Sequence, residues 1–224
     1  MAALCGGIKA NSERPADFFR DNMQMGLNIF EVARKFKVDY LYSIGTTCSY
    51  PLFCPTPFKE NKLWDGEMEP TNASYALAKK ALLQMHIAYN QQYGLKGANL
   101  IPANMYGPFD HFNTNTSHVI PSLIVKFIDS VEKNKDTVEC WGSGKATREF
   151  LLNSECARAI ARVIEMKINT NDPINIGSGD EISIRDLARL IADIVEFKGK
   201  IVFNGEVSDG QPKRTLSTTR AKYV

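Results

Sequence analysis

The sequence predicts an α/β fold: a doubly wound parallel sheet joined to a smaller α/β unit. Three observations carry this. First, apolar runs end in polar, turn-forming residues. Tyr40-Leu41-Tyr42-Ser43-Ile44 leads into Gly45-Thr46-Thr47-Cys48, and Ala98-Asn99-Leu100-Ile101-Pro102 leads into Ala103-Asn104-Met105-Tyr106-Gly107-Pro108. Runs of this kind read as parallel strands buried on both faces. Second, long stretches with a 3.6-residue apolar period alternate with these runs. Third, 224 residues with 44% hydrophobic and 23% charged side chains are ordinary globular composition, enough for one large domain or a domain and a half.

The elements follow in order. Pro15 to Lys37 carries apolar residues at Phe18, Met25, Leu27, Ile29, Phe30, Val32 and Ala33, the pattern of a helix. Pro15 suits a first turn, and Asp17 complements the positive helix end. After the strand at 40–44, the segment from Pro51 to Thr71 is rich in Pro, Lys and Glu and reads as a loop. A second long helix runs from Ser74 to Tyr93 and stops at Gly94. The strand at 98–102 ends in a turn over 103–108. A helix follows over 118–131, a strand over 137–141, a helix over 154–166, and a strand over 173–177 ending in a Gly-rich turn. Another helix begins at Ile182, with Ser183 as its N-cap. Residues 201–203 form a last short strand. The sequence has no internal repeats and no low-complexity tracts.

Composition excludes some classes. A net charge of +2 gives no general footprint for nucleic acid or acidic membranes. No stretch approaches the roughly 18 apolar residues of a membrane span, and Met1 to Gly6 is too short an apolar run for a signal peptide. Five Cys, an odd number without paired spacing, point to a reducing compartment such as the cytoplasm. No Cys/His cluster has zinc spacing, so no metal is expected. Cys5, Cys54, Cys140 and Cys156 read as structural, and His86 and His111 as packing or surface residues.

Three stretches carry chemistry: Gly45-Thr46-Thr47-Cys48-Ser49-Tyr50-Pro51, Tyr75-Ala76-Leu77-Ala78-Lys79 and Asn115-Thr116-Ser117-His118-Val119-Ile120-Pro121. On a helix, Tyr75 and Lys79 share a face. The ammonium is expected to ease ionisation of the phenol below its usual value of about 10, making Tyr75 a proton donor to a carbonyl oxygen. Cys48 and His118 add a thiol and an imidazole able to move protons near neutral pH. Open α/β sheets bind ligands beyond the carboxyl ends of their strands. Two strand ends and the Tyr/Lys helix are therefore expected to meet in one cleft.

With these motifs the chain resembles the extended short-chain dehydrogenase/reductase family. The resemblance runs from Gly6-Gly7-Ile8-Lys9-Ala10-Asn11 to about Arg214. It includes Glu69-Pro70-Thr71-Asn72, Asn104-Met105-Tyr106-Gly107-Pro108, Trp141-Gly142-Ser143-Gly144 and Arg148-Glu149-Phe150. Within that family it is similar to enzymes that epimerise carbons 3 and 5 of GDP-4-keto-6-deoxy-D-mannose and then reduce the 4-keto group with NADPH, giving GDP-L-fucose. The resemblance implies a partial NAD(P)-binding Rossmann domain over 1–115. It implies a mainly GDP-sugar-binding domain over 116–224, with the chain crossing back near 149–177. It implies catalytic roles for Thr46, Cys48, Tyr75, Lys79 and His118, with Cys48 as base and His118 as acid on the other face. NADPH would contact Ile44, Gly45, Thr46, Thr47, Lys79, Pro102, Ala103, Asn104, Met105 and His118. The GDP moiety would contact Lys126, Trp141, Arg148 and Arg214, with Lys213 in the same loop. A homodimer is implied through helices 15–37 and 74–93, with Met23, Leu27, Leu83 and Ile87 at the contact.

The sequence departs from the family pattern in places. Thr46 and Thr47 stand where Ser is usual, and Lys126 where Arg is common. No Gly-x-x-Gly-x-x-Gly or Gly-x-Gly-x-x-Gly occurs. The resemblance then implies that Ala2-Ala3-Leu4 ends a fourth strand and that the chain is truncated at both ends. Dehydratases of the superfamily carry an Asp-Glu pair where this chain has Cys48-Ser49, which argues against elimination. The alternative readings are another NAD(P)-dependent sugar-nucleotide epimerase or dehydratase, or a truncated, non-catalytic GDP-sugar-binding fragment.

Overall fold

The computed structural model describes residues 3–113, 117–205 and 209–223. Its elements in chain order begin with α1 (Ile8–Glu13), α2 (Pro15–Lys35), β1 (Tyr40–Ile44), α3 (Ala73–Tyr93), β2 (Lys96–Pro102) and β3 (Asn104–Tyr106). Then come α4 (Val119–Glu132), β4 (Thr137–Trp141), β5 (Thr147–Leu152), α5 (Asn153–Glu165) and β6 (Ile174–Ile176). The last are β7 (Glu181–Ser183), α6 (Ile184–Ile194), β8 (Lys200–Asn204) and β9 (Lys213–Arg214).

The first sheet has the order β1-β2-β6, all parallel, with Ile44 opposite Leu100 and Leu100 opposite Ile174. Its centre is β2, buried from Gly97 to Pro102. Ala98, Leu100, Ile101 and Ile174 form a core with Tyr50, Phe58, Leu63 and Leu83. Gly97, at φ 140, faces β1 so closely that a Cβ there would lie 1.9 Å from the Leu41 carbonyl oxygen. Helices α2 and α3 pack together on this sheet, with Gly26 receiving the Leu82 side chain. Gly94, at φ 70, ends α3 by donating its N–H to Asn90 O, as a left-handed C-cap does.

A second core joins Leu123 and Phe127 of α4, Val138 and Cys140 of β4, and Leu187, Ala188 and Ile191 of α6. There β4 pairs with β8 in parallel. Between the two cores lies a mixed sheet in which β5 pairs with β3, β7 and β9. No helix among the described residues is long and apolar enough to cross a membrane.

Several elements depart from expectation. The stretch expected as a turn over 103–108 holds the strand β3, because Asn104, Met105 and Tyr106 find ladder partners in Phe150, Leu151 and Leu152. The helix expected from Ile182 starts at Ile184; Glu181 to Ser183 pair antiparallel with β5, and Ser183 then caps α6 by accepting from Asp186 N–H. The strands β5, β7 and β9 and the helix α1 carried no periodic signal. Of the expected fourth strand, Ala2 lies outside the described residues. Leu4 is bound instead by the Asn22 amide, which accepts its N–H at 3.1 Å and donates to its carbonyl at 3.0 Å. Leu83 and Ile87, expected at a dimer contact, turn inward. Leu83 is 2% exposed in the first core and Ile87 packs against it, because that face of α3 lies on the sheet.

Candidate active site

The carboxyl ends of β1 and β2 lie side by side, with Ile44 opposite Leu100. After β1, Gly45 continues the ladder by donating its N–H to Leu100 O at 2.7 Å. A Cβ at Gly45 would lie 2.7 Å from Asn99 Oδ1 and 2.9 Å from Ile101 Cγ1, so a larger residue would have to displace these buried side chains. Thr46 then caps a short turn over Thr47–Ser49 by accepting the Cys48 N–H. The turn buries Thr47 and Ser49 and leaves Cys48 half-buried. Ser49 Oγ ties the turn to α3 through Ala76 O at 3.2 Å. After β2, Pro102 and Ala103 are buried, Asn104 is half-buried and Met105 is exposed. The Ala103 N–H donates to Ile176 O.

Tyr75 and Lys79 stand one turn apart on α3, both half-buried. The electrostatics differ from the sequence expectation. Burial, then the Cys5 and Cys48 thiols, push the Tyr75 phenol well above its usual value, and a hydrogen bond with Thr46 only partly offsets this. Lys79 does not draw the phenol down; burial lowers its own pKa. The reason is placement. The groups acting on the phenol oxygen are two thiols and a hydroxyl, not the ammonium. Tyr75 is therefore a phenol at neutral pH, the form that donates a proton.

Cys5, expected to be structural, lies exposed with its Sγ 3.5 Å from the Tyr75 hydroxyl. No local pattern in the sequence marks it. Cys140 and Cys156 are buried, and Cys54 is half-buried with its thiol pushed up to about 11 by burial. His86 is buried, 1% exposed, edge-on to Phe30, and burial lowers its pKa.

A cationic group adjoins the thiol. Arg148 on β5 lies directly opposite Arg214 on β9. Arg214 Nη1 donates to Cys48 Sγ at 3.3 Å. Arg148 donates from Nη1 to Thr147 O and from Nη2 to Asp209 O. Burial, then the like charge of Arg214, pull the Arg148 pKa down to about 10. Neither guanidinium forms a salt bridge among the described residues, which leaves their charge available to an anion. The Asp209 carboxylate is taken by Ser143, which donates its N–H and Oγ–H and so joins the Gly142–Gly144 turn to this loop. Glu149, 1% exposed, accepts the N–H groups of Leu216 and Gly179 and pins the chain beside Arg214. Sequence reading gave Glu149 only as a member of a motif, and it assigned no task to Glu149, Asp209 or Gln211.

Lys126 sits 4.7 Å above the Trp141 ring and donates to Glu139 O. The two line a surface cavity of ≈ 290 Å³ with Asp129, Thr137 and Glu139. His118 occupies the N-cap position of α4, exposed, and its imidazole does not cap the helix. Asn115 and Thr116 of its motif lie outside the described residues.

Comparison with known proteins gives the lineage. The model of the NAD dependent epimerase/dehydratase family matches residues 1–177. A GDP-L-fucose synthase of Sinorhizobium fredii is 42% identical over 98% of this chain and 69% of its own length. The Escherichia coli GDP-L-fucose synthase is 40% identical over 98% of this chain and 71% of its own. Among solved structures, the Naegleria fowleri GDP-L-fucose synthetase bound to NADP superposes with a TM-score of 0.86 at 30% identity, covering 98% of this chain and 67% of that one. The Campylobacter jejuni GDP-mannoheptose C4 reductase with NADP bound gives 0.87 at 30%, covering 100% and 73%. On this likeness in sequence and in fold, the chain belongs to the NAD dependent epimerase/dehydratase family, on the branch that holds the GDP-L-fucose synthases.

Proposed function

We propose that the protein is an NADPH-dependent epimerase-reductase that converts GDP-4-keto-6-deoxy-D-mannose to GDP-L-fucose. The observation that carries this reading is the Arg214–Cys48 contact. It sets a proton-transfer thiol beside a paired guanidinium site suited to a diphosphate, next to Tyr75 and Thr46. Thr46 and Tyr75 hydrogen-bond the ketone oxygen. Cys48 takes the proton from carbon 3 and then from carbon 5: the C–H bond breaks, S–H forms, and the electron pair moves onto the carbonyl oxygen as an enolate. His118 donates a proton of its own to each carbon on the opposite face; after each round the Cys48 S–H gives its proton to solvent and the imidazole takes one from solvent, and Tyr75 finally protonates the alkoxide. Arg148 and Arg214 grip the diphosphate, and Lys126 and Trp141 meet the nucleoside.

The residues fit the cofactor. The Lys79 ammonium pairs with no carboxylate among the described residues, and with the Tyr75 hydroxyl it offers a donor set suited to a ribose diol. Lys79, Ile44 to Thr47, Pro102 to Met105 and His118 would hold NADPH, which supplies hydride when bound. Residues 1–115 are assigned mainly to the cofactor and 116–224 mainly to the GDP-sugar. We place the protein in the cytoplasm, where its five thiols stay reduced. A homodimer through α2 and α3 is supported by exposed apolar side chains at Phe19, Leu27 and Leu77.

The test is incubation of the purified chain with the keto sugar and NADPH in deuterated water. Deuterium at carbons 3 and 5 together with NADPH consumption is expected. NADPH consumption without deuterium would replace this with a second reading, a plain C4 reductase, which the exposed position of His118 favours. Neither signal from folded protein refutes both.

A further inference from the structure

We propose that Arg214 holds Cys48 as a thiolate and that Gln211 is the positioning residue that sets Arg214 for this task. The path is continuous. Gln211 is 2% exposed. Its side-chain nitrogen donates to the carbonyls of Pro51 and Leu52, each at 2.8 Å. Its side-chain oxygen accepts Arg214 Nε at 2.6 Å. Arg214 Nη1 then reaches Cys48 Sγ at 3.3 Å. Gln211 thus fastens the 209–214 segment to the chain just beyond the Cys48 turn, and the guanidinium closes the loop back onto the sulfur.

The surrounding charges favour an anion at that sulfur. Arg148 lies in register with Arg214, so two guanidinium groups stand on this side of the site. The carboxylates of this region bond other groups: Asp209 is bonded by Ser143, Glu69 by Thr71 and Asn72, and Glu149 by the Leu216 and Gly179 N–H groups. A guanidinium donating to sulfur strengthens when the sulfur is charged, so it stabilises the thiolate, which is the form that accepts a proton from carbon. The planar fork of Arg matters here. Nε serves Gln211 while Nη1 serves Cys48, which the single point charge of a Lys cannot do in fixed directions. Arg214 therefore serves the base as well as the anion.

The inference takes Cys48 as the base of the proposed reaction, but its test needs no turnover. The full chain is treated with iodoacetamide at neutral pH, and alkylation of Cys48 is followed by peptide mass spectrometry. Wild type, Arg214→Lys, Arg214→Gln and Gln211→Met are compared, with GDP affinity and a thermal melt measured for each. Arg214→Gln is expected to slow Cys48 alkylation on the order of tenfold, with recovery when ethylguanidinium is added. Arg214→Lys keeps the charge but cannot serve Gln211 and Cys48 in two fixed directions at once, so it should still alkylate slowly. Gln211→Met should slow alkylation although Arg214 itself is unsubstituted, because the guanidinium loses the partner that directs it. Wild-type alkylation rates in the folded Arg214→Lys protein, or weakened GDP binding with unchanged alkylation, would overturn the proposal and leave Arg214 as an anion-binding group alone. Failure of the functional reading is separate: wild type would show no deuterium exchange whatever the alkylation rates.

Discussion

Replacing Arg148 by Met separates binding from folding at the proposed anion site. Burial and Arg214 pull the Arg148 pKa from 12.5 to about 10. At about 1.4 kcal/mol per unit, holding this charge costs the folded protein on the order of 3 kcal/mol. The group is a base whose folded-state pKa is lowered. The cost is therefore complete below about 10 and fades as pH rises from there towards 12.5. Met removes the charge and keeps most of the volume. It also removes two hydrogen bonds, to Thr147 O and Asp209 O, each worth about 1.5–3 kcal/mol when charged. The effects oppose, so unliganded stability should change by less than about 3 kcal/mol. Ligand binding should not survive. GDP at 100 times its dissociation constant stabilises by about 2.7 kcal/mol, which for a chain of this size is roughly 5–11 °C in Tm. Thermal melts with and without GDP should show that shift in wild type and under about 2 °C in Arg148→Met. A full shift in the variant would refute the assignment of the anion site. A loss of much more than 3 kcal/mol without ligand would refute the charge argument.

Further outcomes follow from the same geometry. Tyr75→Phe should cut ketone reduction by about 10²–10⁴-fold while NADPH binding, read by fluorescence, is retained. Because burial raises the Tyr75 pKa, its donating form persists through mildly alkaline pH, and a falling limb there should survive in no Tyr75-dependent step. Glu149→Ala leaves the Leu216 and Gly179 N–H groups unpaired, at about 1–3 kcal/mol each, so urea unfolding should lose roughly 2–6 kcal/mol; a loss under about 1 kcal/mol would contradict the pinning role. Arg34, then Tyr89, hold Glu31 down to about 2 from 4.5. This carboxylate has its folded-state pKa lowered, so its contribution is complete above 4.5 and lost as pH falls through about 2. Wild type and Glu31→Gln should differ in Tm at neutral pH and converge in strong acid.

The strands and helices that carry their own period were legible in the sequence. The run Tyr40–Ile44 became β1 with the expected bounds, and Gly94 stopped α3 as expected. Those signals are local: apolar alternation, a turn residue, a glycine free to take positive φ. The short strands β3, β5 and β9 had no such signal, since two to six residues defined only by distant ladder partners leave no periodicity to read. The candidate site divided the same way. The motifs named Thr46, Cys48, Tyr75, Lys79, Arg148 and Arg214. Their spacing implied that Lys79 would govern Tyr75, and it does not, because spacing fixes a shared helix face but not which other chains reach the same oxygen.

By itself, then, the sequence determined the α/β class, the long helices and the central strands and named the candidate proton-transfer groups, because each depends on residues close in the chain. Only the tertiary structure decided what those groups touch. Cys5 meets Tyr75 across 70 residues, Gln211 grips Pro51 across 160, and Arg214 reaches Cys48 across 166. Contacts at such separations arise from how the sheets pack, and electrostatics acts through distance in space rather than position in the chain.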